Sequence, residues 1–158
     1  MSYEKIWKKI LGTDEKVKFE FSVGDYYIKL GLIFWAIIGL PFLIIFFENP
    51  SFISGLSVFP FLMALFYYGF YLKKANAYAF TNKRVLIHRG WLSTKTTSVD
   101  YSKITEVKVR EPFFSKIITR TGQIAINTAT GRTNFQTIIL NHVEAPYEIK
   151  KKLDSLKS

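Results

Sequence analysis

Apolar positions change period several times along this chain, and each change marks an element. Tyr3, Ile6, Trp7, Ile10 and Leu11 fall at i, i+3, i+4, i+7 and i+8, with Lys5, Lys8 and Lys9 on the other side. That spacing predicts a short amphipathic helix, with Ser2 placed to cap it and Gly12 to stop it. Val17, Phe19 and Phe21 then alternate with Lys18 and Glu20, the pattern of a half-buried strand. Beyond Lys29 periodicity disappears. Leu30–Phe47 and Phe52–Leu72 contain no Asp, Glu, Lys, Arg or His, and only Glu48-Asn49-Pro50-Ser51 separates them. At ~1.5 Å per helical residue, runs of about 18 and 21 residues each reach across a hydrocarbon core of ~30 Å. The expectation is a two-helix transmembrane hairpin, kinked at Pro41 and Pro60. A re-entrant hairpin that dips in without crossing is the alternative.

After the second run the period falls to two. Ala77–Phe80, Arg84–Arg89, Lys95–Val99, Ile104–Arg110, Gln123–Asn127 and Phe135–Leu140 read as strands, with turns at Thr81-Asn82-Lys83 and Thr130-Gly131-Arg132. Pro112–Ile118 reads as an irregular or helical excursion. Pro146 near N1, the stripe Ile149, Leu153 and Leu156, and Lys150–Lys152 on the wet face predict a closing helix. The fold class is therefore α+β: a transmembrane helical hairpin, then a small antiparallel barrel or sandwich capped by a C-terminal helix. Three segments follow, 1–29, 30–72 and 73–158. Because the hairpin returns the chain to its starting side, the strand near residues 17–21 is able to join the edge of the later sheet.

Charge sharpens this picture. Of a net charge of +10, residues 1–29 contribute +1 and the hairpin, through Glu48, −1, which leaves the excess in residues 73–158. Lys29 precedes the first run, and Lys73, Lys74, Lys83 and Arg84 follow the second. The positive-inside bias then places both termini in the cytoplasm and the tight loop outside, integral to the cytoplasmic membrane with two spans. Tyr26 and Tyr27 at one end, and Tyr67, Tyr68 and Tyr71 at the other, sit where interfacial anchors are expected. The chain has no cysteine, which excludes disulfide and thiolate chemistry.

Tyr78-Ala79-Phe80-Thr81-Asn82-Lys83-Arg84-Val85, then Gly90, the strand Ile104-Thr105-Glu106-Val107, Ile124-Ala125-Ile126, and Pro146-Tyr147-Glu148-Ile149 opening the last helix together resemble the bacterial pleckstrin-homology-like family. Its YdbS-type members carry a two-helix membrane hairpin directly before the domain. The resemblance covers about residues 75–155. It implies a bent antiparallel sheet capped by a helix, no catalytic residues, and a homo-oligomer or a complex with another membrane protein.

No enzymatic constellation stands out, and no cofactor is expected. His88 and His142 have no partner at metal-ligand spacing, so no metal site is expected. Asp100 and Glu106 make only a weak carboxylate pair. The candidate site is basic instead. Lys73, Lys74, Lys83, Arg84, Arg89 and Lys95 form a set able to bind phosphate or anionic lipid headgroups, or alternatively a solvated face that satisfies the topology bias. Trp7, Lys8 and Lys9, with Tyr26 and Tyr27, are candidate interfacial anchors; a first helix docked on the protein's own domain is the rival reading. Phe113, Phe114 and Lys116 are a candidate partner contact, with core packing as its rival. Nucleic acid is not expected, because the aromatics lack the spacing of a base-stacking strand. The function these features suggest is a membrane-anchored binding or scaffolding module. The alternative is a structural subunit of a larger membrane enzyme or transporter, packing through its hairpin by way of small residues such as Ser51 and Gly55.

Overall fold

The helical hairpin is inserted into a sheet. The computed structural model describes residues 3–113, 115–130 and 134–157. After a four-residue helix α1 (Glu4–Trp7) the chain forms β1 (Val17–Ser22) and leaves as α2 (Asp25–Glu48). It returns through α3 (Phe52–Phe66), one turn of π-helix at Tyr67–Tyr71 and the short α4 (Leu72–Ala75). The next element, β2 (Asn76–Thr81), pairs antiparallel with β1, Ser22 lying opposite Ala77. The hairpin is thus the connection between two neighbouring strands. With β3 (Arg84–Arg89) and β4 (Lys95–Asp100) the first sheet has the order β1-β2-β3-β4. A second sheet contains β5 (Ile104–Arg110), β6 (Thr121–Thr130) and β7 (Asn134–Glu144), and α5 (Pro146–Lys157) closes the chain.

The expected α+β class holds, and the strand near residues 17–21 joins the edge of the later sheet, as the return of the chain to its starting side allowed. The folded domain begins before the hairpin, because β1 is an edge of its first sheet. Alternation explains how the layers meet. Tyr78, Phe80, Val85, Ile87 and Val99 point inward from the first sheet. They pack on Ile104, Val107, Ile124, Ile126, Ile138 and Leu140 of the second, with Ile149 and Leu153 of α5 across one end. Phe21 of β1 adds an edge-on contact to Phe80, centroids 5.1 Å apart.

The outer face of the first sheet is covered as well. Ala77, Ala79 and Leu86 form a shallow floor on which Trp7 sits, 1 % exposed, with Ile6, Ile10 and Leu11 around it. The apolar stripe of the N-terminus is as expected, but helix persists only to Trp7 and Lys8–Ile10 are turn. A helix this short has little stability of its own, so the chain follows the sheet surface instead, and Gly12 is not its stop. Ser2, the expected cap, lies outside the described residues. Two strands also run longer than expected, β6 and β7 against Gln123–Asn127 and Phe135–Leu140. Thr128, just beyond the expected strand, donates its hydroxyl to the Gln136 carbonyl at 3.0 Å. The turn expected at Thr130-Gly131-Arg132 falls at Gly131 and Arg132 outside the described residues.

Within the hairpin, small residues serve helix-to-helix contact inside this chain. A Cβ on Gly39 would stand 2.9 Å from the Phe61 ring, so only glycine permits that approach. Ser51 caps α3 in a reciprocal pair with Ser54, and Gly55 faces Phe46. The Ser51 and Gly55 pattern is therefore used by the hairpin's own turn. The helix Asp25–Glu48 and the continuous helical run Phe52–Ala75 are each long and apolar enough to cross a membrane.

Candidate functional site

Strand direction sorts the basic residues into two groups. Asn76 follows α4 directly, and β2 carries the chain roughly 17 Å away from it by Thr81, at ~3.4 Å per residue. Arg89 pairs with Asn76, so Arg89 and Lys95 lie at the hairpin end of the domain, whereas Lys83 and Arg84 lie at the far end. The set Lys73, Lys74, Lys83, Arg84, Arg89 and Lys95 does not converge.

Arg84 is also committed structurally. Glu15, 8 % exposed, accepts from Arg84 Nε at 2.9 Å and Nη2 at 2.8 Å, from the Thr81 hydroxyl at 2.7 Å, and from the Gly12 amide at 3.2 Å. The Arg84 hydrogen bonds, against the cost of burial, hold the Glu15 carboxyl at about 2, below its ordinary 4.5. A carboxyl depressed in the folded state contributes stability that is complete above about pH 4.5 and is lost as pH falls toward 2. Glu15→Gln is therefore expected to lower stability at pH 7 by on the order of 2–3 kcal/mol and to flatten the acid side of the profile. Denaturant midpoints at pH 7 and pH 3 measure both; an unchanged midpoint at pH 7 would mean the network is dispensable.

Of the remaining candidates, Lys73 pairs with Asp25 at 2.5 Å and Lys74 lies 3.7 Å over the Phe70 ring. Lys8 pairs with Glu4, Lys9 is exposed, and Trp7 is buried on the domain's own sheet. Trp7 is therefore not an interfacial anchor: the alanines beneath it leave room for the indole, and Glu20 accepts its N–H at 3.2 Å. Tyr27 stacks on His142, centroids 3.9 Å apart, and the Arg120 guanidinium lies 5.7 Å from the Tyr26 ring. Phe113 is exposed, as is Lys116; Phe114 lies outside the described residues.

At the hairpin end, two loops flank the helices. The β3–β4 loop opens at Gly90, whose φ of 94° suits glycine, and it presents Trp91 and Leu92. Leu92 is 89 % exposed. Trp91 packs edge-on against Phe66 and Phe70, at 5.9 and 5.3 Å. Those rings belong to the uncharged run itself, so this loop climbs alongside the hairpin. The β5–β6 loop, with its π turn at Ser115–Thr119, packs against α2 and exposes Phe113, Ile117 and Ile118 beside Lys116 and Arg120. Among the described residues, the non-glycine residues with left-handed φ are Arg120, His142 and Ala145, all at this end. Each left-handed residue costs roughly 1 kcal/mol, strain that the fold accepts where the helices join it. Trp91 and Leu92 escaped the sequence reading, although a Trp-Leu pair after a glycine in a polar loop was a visible signal.

For other chemistry the described residues offer little. None of their His, Cys, Asp and Glu groups could hold a metal ion. Asp100 pairs with Lys103 and Glu106 with Lys108. His88 shares a hydrogen bond with Thr96 at 3.2 Å.

Two antiparallel sheets packed around one core, with a C-terminal helix across the end, define a pleckstrin-homology-like domain. The bacterial PH domain family matches residues 21–157, and the chain belongs to that family. The match runs through the hairpin, in agreement with its insertion between β1 and β2. Two crystal structures share the fold. One is a protein with a pleckstrin-homology domain from Shewanella loihica, 12 % identical, with a TM-score of 0.51 over 100 % of this chain and 99 % of that one. The other is a pleckstrin homology domain from Shewanella amazonensis, 11 % identical, with a TM-score of 0.51 over 98 % of this chain and 84 % of that one. No curated protein matches the chain. A PH-like domain implies a binding or scaffolding module.

Proposed function

We propose that the protein is a non-enzymatic, membrane-anchored PH-like module. Its hairpin spans the cytoplasmic membrane with both termini inside, and the hairpin end of its domain rests on anionic lipid. The observation that carries this reading is the packing of Trp91 on Phe66 and Phe70. Phe66 lies six residues before Leu72, about 9 Å deeper along a helix, so a loop beside it enters the layer occupied by the end of the span. An amphipathic ring at that level with an exposed leucine beyond it suits the boundary between headgroups and acyl chains. Lys74, Arg89 and Lys95 around it, and Lys116 and Arg120 on the second loop, face anionic headgroups, each worth about 1 kcal/mol near such a surface. The sheet edges, α5 and the Phe113 loop remain for a partner membrane protein or a second copy. Lys83, at the far end, lies well beyond the ~10 Å over which 0.1 M salt screens exposed charge, and it plays no part in lipid contact.

Absence of cysteine makes the test direct. Leu92→Cys carries one environment-sensitive label on the full-length protein in nanodiscs. A blue-shifted emission is expected, larger on anionic than on neutral lipid and reduced by high salt or by Lys74→Glu with Lys116→Glu. Lys83→Glu should leave it unchanged. A label that reports bulk water on both lipids would overturn the reading.

A further inference from the structure

The inward-facing stripes of β3 and β4 change character toward the hairpin end. On β3 they run Val85, Ile87, Arg89, and on β4 Val99, Thr97, Lys95. The apolar members are buried in the core, whereas Arg89 and Lys95 are exposed. Arg89 and Lys95 are direct cross-strand partners. Like charges placed opposite each other destabilise a sheet pair, and among the described residues neither cation joins an ion pair. Between them and β7 lies a cleft of about 330 Å³, floored by Ile87 and Ile138, with Thr97 on one wall and Asn141 on the other. Among the described residues, no carboxylate lines it. Arg89 also donates to the Ile139 carbonyl, which fixes its guanidinium across the seam between the sheets. A second cavity, between β1 and α5, is different: it includes Glu144 and Glu148, Lys73 is paired with Asp25, and Lys152 lies over the Phe19 ring.

We propose that the seam cleft is a phosphate-binding site and that its occupant is the head group of an anionic glycerophospholipid. An anion seated between Arg89 and Lys95 relieves their repulsion. Arginine supplies the planar fork and lysine the point charge that phosphate oxygens accept. Thr97 and Asn141 provide neutral donors, and Ile87 and Ile138 provide an apolar floor for glycerol carbons. A volume near the lower limit for ligand pockets suits a small head group rather than a larger ligand. Asn141 adjoins His142, whose carbonyl takes the Gly24 amide at the start of α2, so the cleft lies next to the point where the chain enters the hairpin. The proposal deepens the membrane reading and rests on it for the source of the phosphate, but not for the binding chemistry.

Methyl NMR of the full-length protein in nanodiscs tests it, with Ile87, Ile138 and Thr97 as reporters and Ile124 and Ile126 as folding controls. Probes are phosphatidylcholine alone, phosphatidylcholine with phosphatidic acid, and phosphatidylcholine with added glycerol 3-phosphate or inorganic phosphate. Reporter shifts that saturate with phosphatidic acid are expected. The apparent affinity should weaken at least tenfold in Arg89→Gln with Lys95→Gln, and in Thr97→Phe, which fills the cleft without changing charge. Equal shifts with the soluble phosphates would support the phosphate site and overturn the lipid as its source. Reporters unmoved by every probe, or moved equally in Thr97→Phe, would overturn the site. The Leu92→Cys label separates the two ideas: its response to anionic lipid should survive Thr97→Phe, and its loss with the reporter shifts intact would sink the loop reading alone.

Discussion

A chain of residues 75–158 is expected to remain unfolded, although it contains six of the seven strands described and α5. What it lacks is the first edge of its own sheet. β1 pairs with β2 from Val17 to Ser22, and it brings Phe19 and Phe21 against Phe80 and Tyr78, with centroid separations of 6.2 Å and 5.3 Å. Without it that side of the core opens to water. The outer face of β2 and β3 is uncovered at the same time, because Trp7 and Glu15 are absent. Each lost large side chain removes about 1.5–3 kcal/mol of burial, and three such losses approach the whole stability of a small domain. The rescue is specific. Ser22 and Ala77 are opposite each other, so a short Gly-Asn turn in place of residues 24–75 can join β1 to β2 as an ordinary hairpin. That joined chain is expected to fold without the hairpin. Dispersed amide spectra for the joined chain, with collapsed spectra for residues 75–158, are the outcomes that agree; a folded 75–158 would show β1 to be an accessory strand.

The same insertion decides how much of the molecule was legible in its sequence. Local period is enough for β3, β5, α5 and the hairpin, whose apolar and polar alternation or continuous apolarity comes from the face each residue buries. β1 was legible as a strand because Val17, Phe19 and Phe21 alternate, and the return of the hairpin to its starting side allowed it to join the sheet edge; its partner β2 and their register, a pairing across more than fifty residues, are what no local pattern encodes. The basic set failed for a related reason. Lys83, Arg84 and Arg89 are close along the chain, yet a strand is long enough to put a hairpin turn and its open end in different surroundings. Arg84 looks identical to Arg89 in sequence; only the arrival of Glu15, from a distant segment, shows that its charge is already matched. Trp7 and Trp91 show the same limit. Trp7 sat in an amphipathic pattern that suits a lipid surface and a protein surface equally. Trp91 stood in a loop with no period at all, and its position follows from its packing on Phe66 and Phe70 of the hairpin.

Trp7→Ala separates these two environments by magnitude. A tryptophan that is 1 % exposed and packed on Ala77, Ala79 and Leu86 leaves a cavity when truncated, and such changes cost about 3–5 kcal/mol. Neighbouring alanines have no side-chain reach with which to refill it, which places the expected loss toward the upper part of that range. For a domain of this size, each kcal/mol lowers the melting temperature by roughly 4–8 °C, so a fall of more than ~10 °C is expected in detergent-solubilised full-length protein. Trp7→Phe keeps most of the burial and forfeits the Nε1 hydrogen bond to Glu20, seen at 3.2 Å, so a smaller loss of about 1–2 kcal/mol is expected. Trp91→Ala should do the reverse: because Trp91 is 40 % exposed and rests against the hairpin rather than in the core, its loss should spare the domain's melting and weaken the Leu92→Cys response to lipid. If Trp7→Ala melted like the parent and instead changed the lipid response, the N-terminal segment would have to leave the sheet in the membrane-bound protein, and the floor formed by Ala77 and Ala79 would be open to another occupant.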